Sequence, residues 1–128
     1  MKNFCTLFNS KYLPRGMLLY KSLQKNVKNF HLYVFAFDEF TFDYLNNKKY
    51  KNITVISLSK FEDKKLLKVK KLRTPTEYFW TCTGSTLIYL FKNFNLKDCI
   101  YIDSDLFFFS YPYNFFKDFK KYSCVITK

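Results

Sequence analysis

A chain of 128 residues is about one domain's worth, and its 48% apolar content is enough for a core. With 25% charged residues, two Gly and three Pro, collagen-like, linker-like and generally disordered chains are excluded. The net charge is +12, from 22 Lys and Arg against 10 Asp and Glu, and no apolar run is long enough for a bilayer-spanning helix.

The first apolar run, Phe4 to Phe8, reads as a strand. Ser10 can cap the helix expected over about 11–26, where Leu13, Met17, Tyr20 and Leu23 recur at three- and four-residue spacing. Pro14 suits that helix's first turn, and Asn26 and Asn29 end it. Leu32 to Phe37 is apolar without alternation, the pattern of a strand covered on both faces. A helix follows near 40–47, then a third strand over Ile53 to Leu58. Segment 59–72 is Lys-rich and weakly helical, anchored by Phe61, Leu66, Leu67 and Val69. Thr74 or Thr76 caps the longest helix, with Pro75 in its first turn. Phe79, Thr83, Leu87, Leu90 and Phe94 trace the face expected to be buried, with Trp80 as a core anchor ahead of the alternative, a ring for sugar stacking. Gly84 interrupts this helix and suggests a close approach of backbone or ligand. Strand four is Cys99 to Ile102, and Pro112 opens a turn carrying Phe115, Phe116 and Phe119. A fifth strand is expected over Tyr122 to Thr127. Strands alternating with helices imply a mostly parallel sheet with helices on both faces. The chain stops at Lys128, so the sheet is expected to be incomplete.

Charge and cysteines narrow the classes further. Only Arg15 and Arg73 are arginines. The lysine excess fits either an AT-rich coding sequence or an anionic partner such as nucleotide phosphate, nucleic acid or lipid. Lys2, Asn3, Asn9, Lys11 and Arg15 break any signal-peptide stretch. Cys5, Cys82, Cys99 and Cys124 form no Cys-x-x-Cys pair, and no His completes a zinc pattern. Reduced, mostly buried thiols are expected, and His31 reads as structural. The expected location is therefore cytoplasmic, with the lysine surface leaving contact with the inner membrane face open.

There is no Gly-x-Gly-x-x-Gly, P-loop or His-Glu-x-x-His, and one His cannot build a nucleophile triad. The remaining candidate is Asp103-Ser104-Asp105, directly after a buried-looking strand. Ligands of open α/β sheets bind beyond the strand carboxyl ends. Two carboxylates one residue apart suit a hard cation such as Mn2+ or Mg2+, which leaves positions open for phosphate oxygens. The alternative is a polar loop that ends a strand and caps the next turn.

The stretch Ile100-Tyr101-Ile102-Asp103-Ser104-Asp105-Leu106-Phe107-Phe108-Phe109-Ser110-Tyr111-Pro112 resembles the "YLDADLYFFSDP" segment of bacterial nucleotide-sugar glycosyltransferases with the GT-A fold. Phe4 to Gly16 is similar to their first strand and turn, and Glu77 to Thr83 resembles their "EYxWTxT" helix start. Three motifs in order cover nearly the whole chain. The resemblance implies a Rossmann-like α/β domain over 1–128, the N-terminal part of a GT-A fold that binds a nucleotide diphosphate sugar. It implies direct metal ligation by Asp105 first, with Asp103 touching the ribose or the metal and Ser104 between them. It directs the nucleoside to the end of the first strand, at Thr6, Phe8, Asn9 and Tyr12, and to Asp38 after the second. Tyr12 as a core residue and Asp38 as a helix cap are the structural alternatives. Arg73 offers a planar fork to the donor phosphate, or else an ion pair to Glu77.

The expected activity is glycosyl transfer from a donor, UDP-sugar first, to an acceptor hydroxyl on a glycan, lipid or protein. Family enzymes are about twice this length, so a truncated, inactive remnant or a binding-only half is the rival reading. Gly84 also stands where the family often has Pro. Nucleic acid is not an expected partner, because most aromatics sit in apolar runs rather than on a stacking surface.

Overall fold

The apolar runs pair side by side, all in parallel. The computed structural model describes residues 1–112. Four strands, β1 (Lys2–Phe8), β2 (Phe30–Ala36), β3 (Ile53–Ser57) and β4 (Ile100–Tyr101), form one sheet in the order β3-β2-β1-β4. Residue 4 of β1 lies opposite Leu32 on one side and Ile100 on the other, which places β1 between β2 and β4. The helices are α1 (Leu13–Asn26), α2 (Glu39–Lys48), α3 (Leu58–Phe61), α4 (Lys64–Lys70) and α5 (Pro75–Phe94). The fifth strand and the Phe115, Phe116 and Phe119 turn expected from the sequence lie outside the described residues, as does Cys124.

The unalternating runs are explained by helices on both faces. Phe4, Phe8, Leu32 and Val34 pack against Leu19 and Leu23 of α1 and Leu45 of α2. Cys5, Leu7, Tyr33 and Phe35 pack on the opposite face against Phe61, Leu66 and the α5 residues Tyr78, Cys82 and Leu90. Phe4, Leu19 and Leu23 are fully buried, and each such side chain contributes about 1.5–3 kcal/mol of transfer free energy. Among the described residues the fold is thus α/β with an all-parallel sheet, where the alternation of elements implied a mostly parallel one.

Several local expectations shift. Segment 59–72 is two short helices, because Asp63 caps α4 by accepting from Leu66 N at 2.8 Å and so restarts the helix. Ser10 does not cap α1; Tyr12 takes that position without a side-chain cap bond. The buried stripe of α5 is Tyr78, Cys82, Thr86 and Leu90, not the stripe through Phe79, Thr83 and Leu87. Small side chains sit where α5 lies closest to the sheet, with Cys5 Sγ 3.8 Å from Thr86 Oγ1. Trp80 is 72% exposed and is no core anchor. Gly84 has open space beside it and meets neither backbone nor side chain. His31 is structural: Nε2 lies 2.8 Å from Thr54 Oγ1 and the ring packs on Tyr33. Cys5, Cys82 and Cys99 are free thiols, the first two buried. Among the described residues no helix is long and apolar enough to cross a membrane.

Candidate functional site

The connections through α1 and α2 cover one face of the sheet, and those through α3 to α5 cover the other. β1 and β4 are parallel neighbours, so their carboxyl ends lie side by side at the point where the strand order reverses, the place where open α/β sheets form a crevice. A cleft of about 450 Å³ lies there. Phe8 and Asn9 of the β1 end, with Lys11 and Tyr12 of the following turn, form one wall. Tyr101, Asp103, Ser104 and Asp105 form the second, and Thr76, Phe79, Trp80 and Thr83 of α5 form the third.

Each wall is held by local chemistry. The β1–α1 turn is closed by Tyr12 N to Asn9 O at 3.0 Å. It is tied across the sheet by Ser10 N, which donates to Asp38 Oδ2 at 2.7 Å. Asp38 Oδ1 accepts from Thr41 N at 2.8 Å and caps α2. Burial pushes the Asp38 carboxyl up, but the hydrogen bonds from Ser10 and Thr41 outweigh this and hold it below the ordinary Asp value. On the opposite wall, Ile102 N donates to Cys5 O at 2.9 Å, and Leu106 N closes the acidic turn on Asp103 O at 3.2 Å. Beyond the turn, Phe108 N donates to Ser22 Oγ at 3.1 Å and Phe108 O accepts from Asn26 Nδ2, anchoring the segment to α1. The third wall begins with a capping box. Thr74 N donates to Glu77 Oε2 at 2.8 Å, and Glu77 N donates back to Thr74 Oγ1 at 3.4 Å. Phe79 is fixed by stacking on Phe37, with ring centroids 4.7 Å apart.

Asp103 and Asp105 are exposed in the cleft, with Ser104 buried between them. Among the described residues no group of three or more His, Cys, Asp or Glu side chains is placed to hold a metal. A pair of carboxylates is nonetheless a fitting donor set for Mn2+ or Mg2+, which commonly take one or two carboxylates and complete their shell with substrate phosphates and water. Burial pushes the Tyr101 phenol up to about 12; a hydrogen bond with Thr83 opposes this and the Asp103 carboxylate adds to it. The phenol therefore stays protonated beside the Asp103 carboxylate. Asn9 Oδ1 is buried without a hydrogen-bond partner, an acceptor left over at the cleft wall.

Of the residues singled out by sequence, Phe8, Asn9, Tyr12, Asp103, Ser104 and Asp105 come together here. Tyr12 is 40% exposed, not core, and its ring carries the Arg15 guanidinium 5.0 Å from its centroid. Thr6 is fully buried and does not reach the cleft. Asp38 is also outside, with both carboxylate oxygens bound to backbone N–H groups. Arg73 lines a neighbouring cavity of about 380 Å³ with Lys70, which shares Asn9, Pro75 and Phe79 with the cleft. Arg73 makes no ion pair with Glu77, whose carboxylate closes the capping box. Lys11, Tyr101, Thr76, Phe79 and Thr83 were not assigned to the site by sequence, and Trp80 only as the alternative to a core anchor. Their signals were there: Tyr101 precedes Asp103 by two, and Thr76, Phe79, Trp80 and Thr83 share helical spacing.

Two bacterial proteins align with nearly all of this chain. The chain is similar to YfnD and YfnF of Bacillus subtilis (strain 168). It is 30% identical to the uncharacterized protein YfnD and 29% identical to the uncharacterized protein YfnF, in both cases over 126 residues and 98% of this chain. Those residues make up 40% and 42% of the two relatives, so the chain spans about two fifths of their length. No protein-family model matches the chain.

Proposed function

We propose that this chain is the donor-binding part of a metal-dependent glycosyltransferase of GT-A type, taking a nucleotide diphosphate sugar, UDP-sugar first. The observation that carries the reading is the placement of Asp103 and Asp105 beyond β4 in the crevice shared with the β1 end. Asp103 and Asp105 would hold Mn2+ or Mg2+, which would supply the positive charge that offsets a diphosphate leaving group. Tyr101, two residues before Asp103, lines the same wall with a protonated phenol. Asn9 offers its unpartnered acceptor to a base or ribose donor, and Phe8 and Tyr12 supply aromatic surface beside it. Lys11 adds a cation for a phosphate oxygen.

The share of the relatives' length that the chain spans supports a division of labour. In this reading the acceptor contacts and the remaining catalytic groups come from residues outside this chain, and the chain alone binds donor without turnover.

Calorimetric titration of UDP into the folded chain, with Mn2+ and then with EDTA, tests the reading. Binding is expected with the metal and absent in EDTA. Asp105→Ala should weaken the metal-dependent binding at least tenfold with an unchanged melting temperature. Equal affinity in the variant, or binding indifferent to EDTA, would remove the metal assignment.

A further inference from the structure

We propose that the outward face of α4 and the turn after it form a docking surface for an anionic lipid bilayer. Seven of the fourteen residues from Lys60 to Arg73 are cationic. At 100° per residue, Lys64, Lys68 and Lys71 share the side of α4 opposite the buried Leu66, with Leu67 on the flank between. All four are exposed, and Leu72 follows at 81% exposure.

The nearby anions are already committed to structure. Glu62 accepts from Lys70 Nζ and from Tyr78 Oη, each at 2.7 Å. Asp63 caps α4 and Glu77 caps α5. Lys64, Lys68 and Lys71 have no ion-pair partner among the described residues. Seven cations against Glu62 and Asp63 leave the segment net positive, with Lys64, Lys68 and Lys71 outside its one ion pair among the described residues.

The two leucines decide between polyanions. Leu72 at 81% exposure and Leu67 at 45% sit among the cations and gain nothing from a phosphate backbone. A strand of nucleic acid would seek aromatic side chains to stack on, and residues 62–77 contain none. A bilayer satisfies both groups at once: head groups meet the lysines, and the leucines enter the boundary with the acyl chains. None of these residues lines the acidic cleft, so the inference stands apart from the proposed donor site.

The test is co-sedimentation of the full chain with vesicles of phosphatidylcholine, alone or mixed with phosphatidylglycerol. Binding is expected only with the anionic lipid, weakening as salt rises. The triple variant Lys64→Gln/Lys68→Gln/Lys71→Gln should bind about a hundredfold more weakly, since each lysine near an anionic surface is worth about fivefold. Leu67→Ser/Leu72→Ser keeps the charge and should bind about tenfold more weakly. Circular dichroism and melting of both variants should match the parent, because all five side chains are exposed. Three results would overturn the proposal. The first is no binding to anionic vesicles; the second is triple-variant binding equal to the parent. The third is a double variant that binds vesicles unchanged while the parent prefers a single-stranded oligonucleotide, which would make the surface a polyanion site.

Discussion

Gly16 shows how one residue couples the core to the cleft. A Cβ built there would lie 2.5 Å from Cε1 of the Phe8 ring, and Phe8 is 2% exposed. The ring has little room to retreat, and it also lines the cleft. Gly16→Ala should therefore destabilise the chain by about 1–3 kcal/mol, read by urea denaturation, and weaken metal-dependent UDP binding. A variant as stable as the parent would mean that the ring repacks freely. The periodicity of Leu13, Met17, Tyr20 and Leu23 gave the helix but not this contact. Apolar spacing marks large side chains, whereas a close approach is marked by the absence of one. Asp38 carries a similar lesson. Its position after a strand admits a ligand or a cap, and only the two backbone N–H groups that reach it from separate turns identify it as a strap.

Among the elements, α5 departed furthest from its sequence pattern. Its start was legible, because Thr74, Pro75 and Glu77 stand at capping-box spacing. Its rotation was not. Large residues drew the expected face through Phe79 and Leu87, while the sheet receives Cys82 and Thr86, which are small enough for a close approach. Gly84 falls on the exposed side with nothing within 4 Å and no positive φ. Gly84→Ala should therefore stabilise the protein by about 0.5–1 kcal/mol through helix propensity alone. Thermal melting checks this; a lower melting temperature would show that the space is filled by something else. The Lys-rich segment was similarly half legible: its composition gave a solvated helical face, and the Asp63 cap that splits it in two emerged only with the fold.

At the scale of the molecule, the sheet order places the site. Because β1 is central and β4 joins it on the side away from β2, the first turn and the acidic turn face each other across one crevice. The Asp38 strap holds one side of that crevice and should appear in the pH dependence of stability. Its folded carboxyl titrates below the ordinary Asp value, so its contribution is complete above that value and is lost as pH falls through the lower folded one. Acid unfolding should flatten in that range for Asp38→Asn, compared at matched temperatures. An acid limb identical to the parent's would show that other carboxylates set it.

The sequence by itself determined the alternation of strands and helices, the burial of β2 from both sides, and the acidic turn at a strand end. Those features follow from composition and periodicity over a few residues, where local sterics and burial dominate. Only the tertiary structure decided that Thr6, Asp38 and Arg73 stand outside the cleft and that Tyr101, Lys11 and Thr83 stand within it. It also turned Trp80 outward and Cys82 inward. Those outcomes depend on which strands pair and how closely α5 lies on them, contacts between residues far apart in the chain that no local pattern encodes.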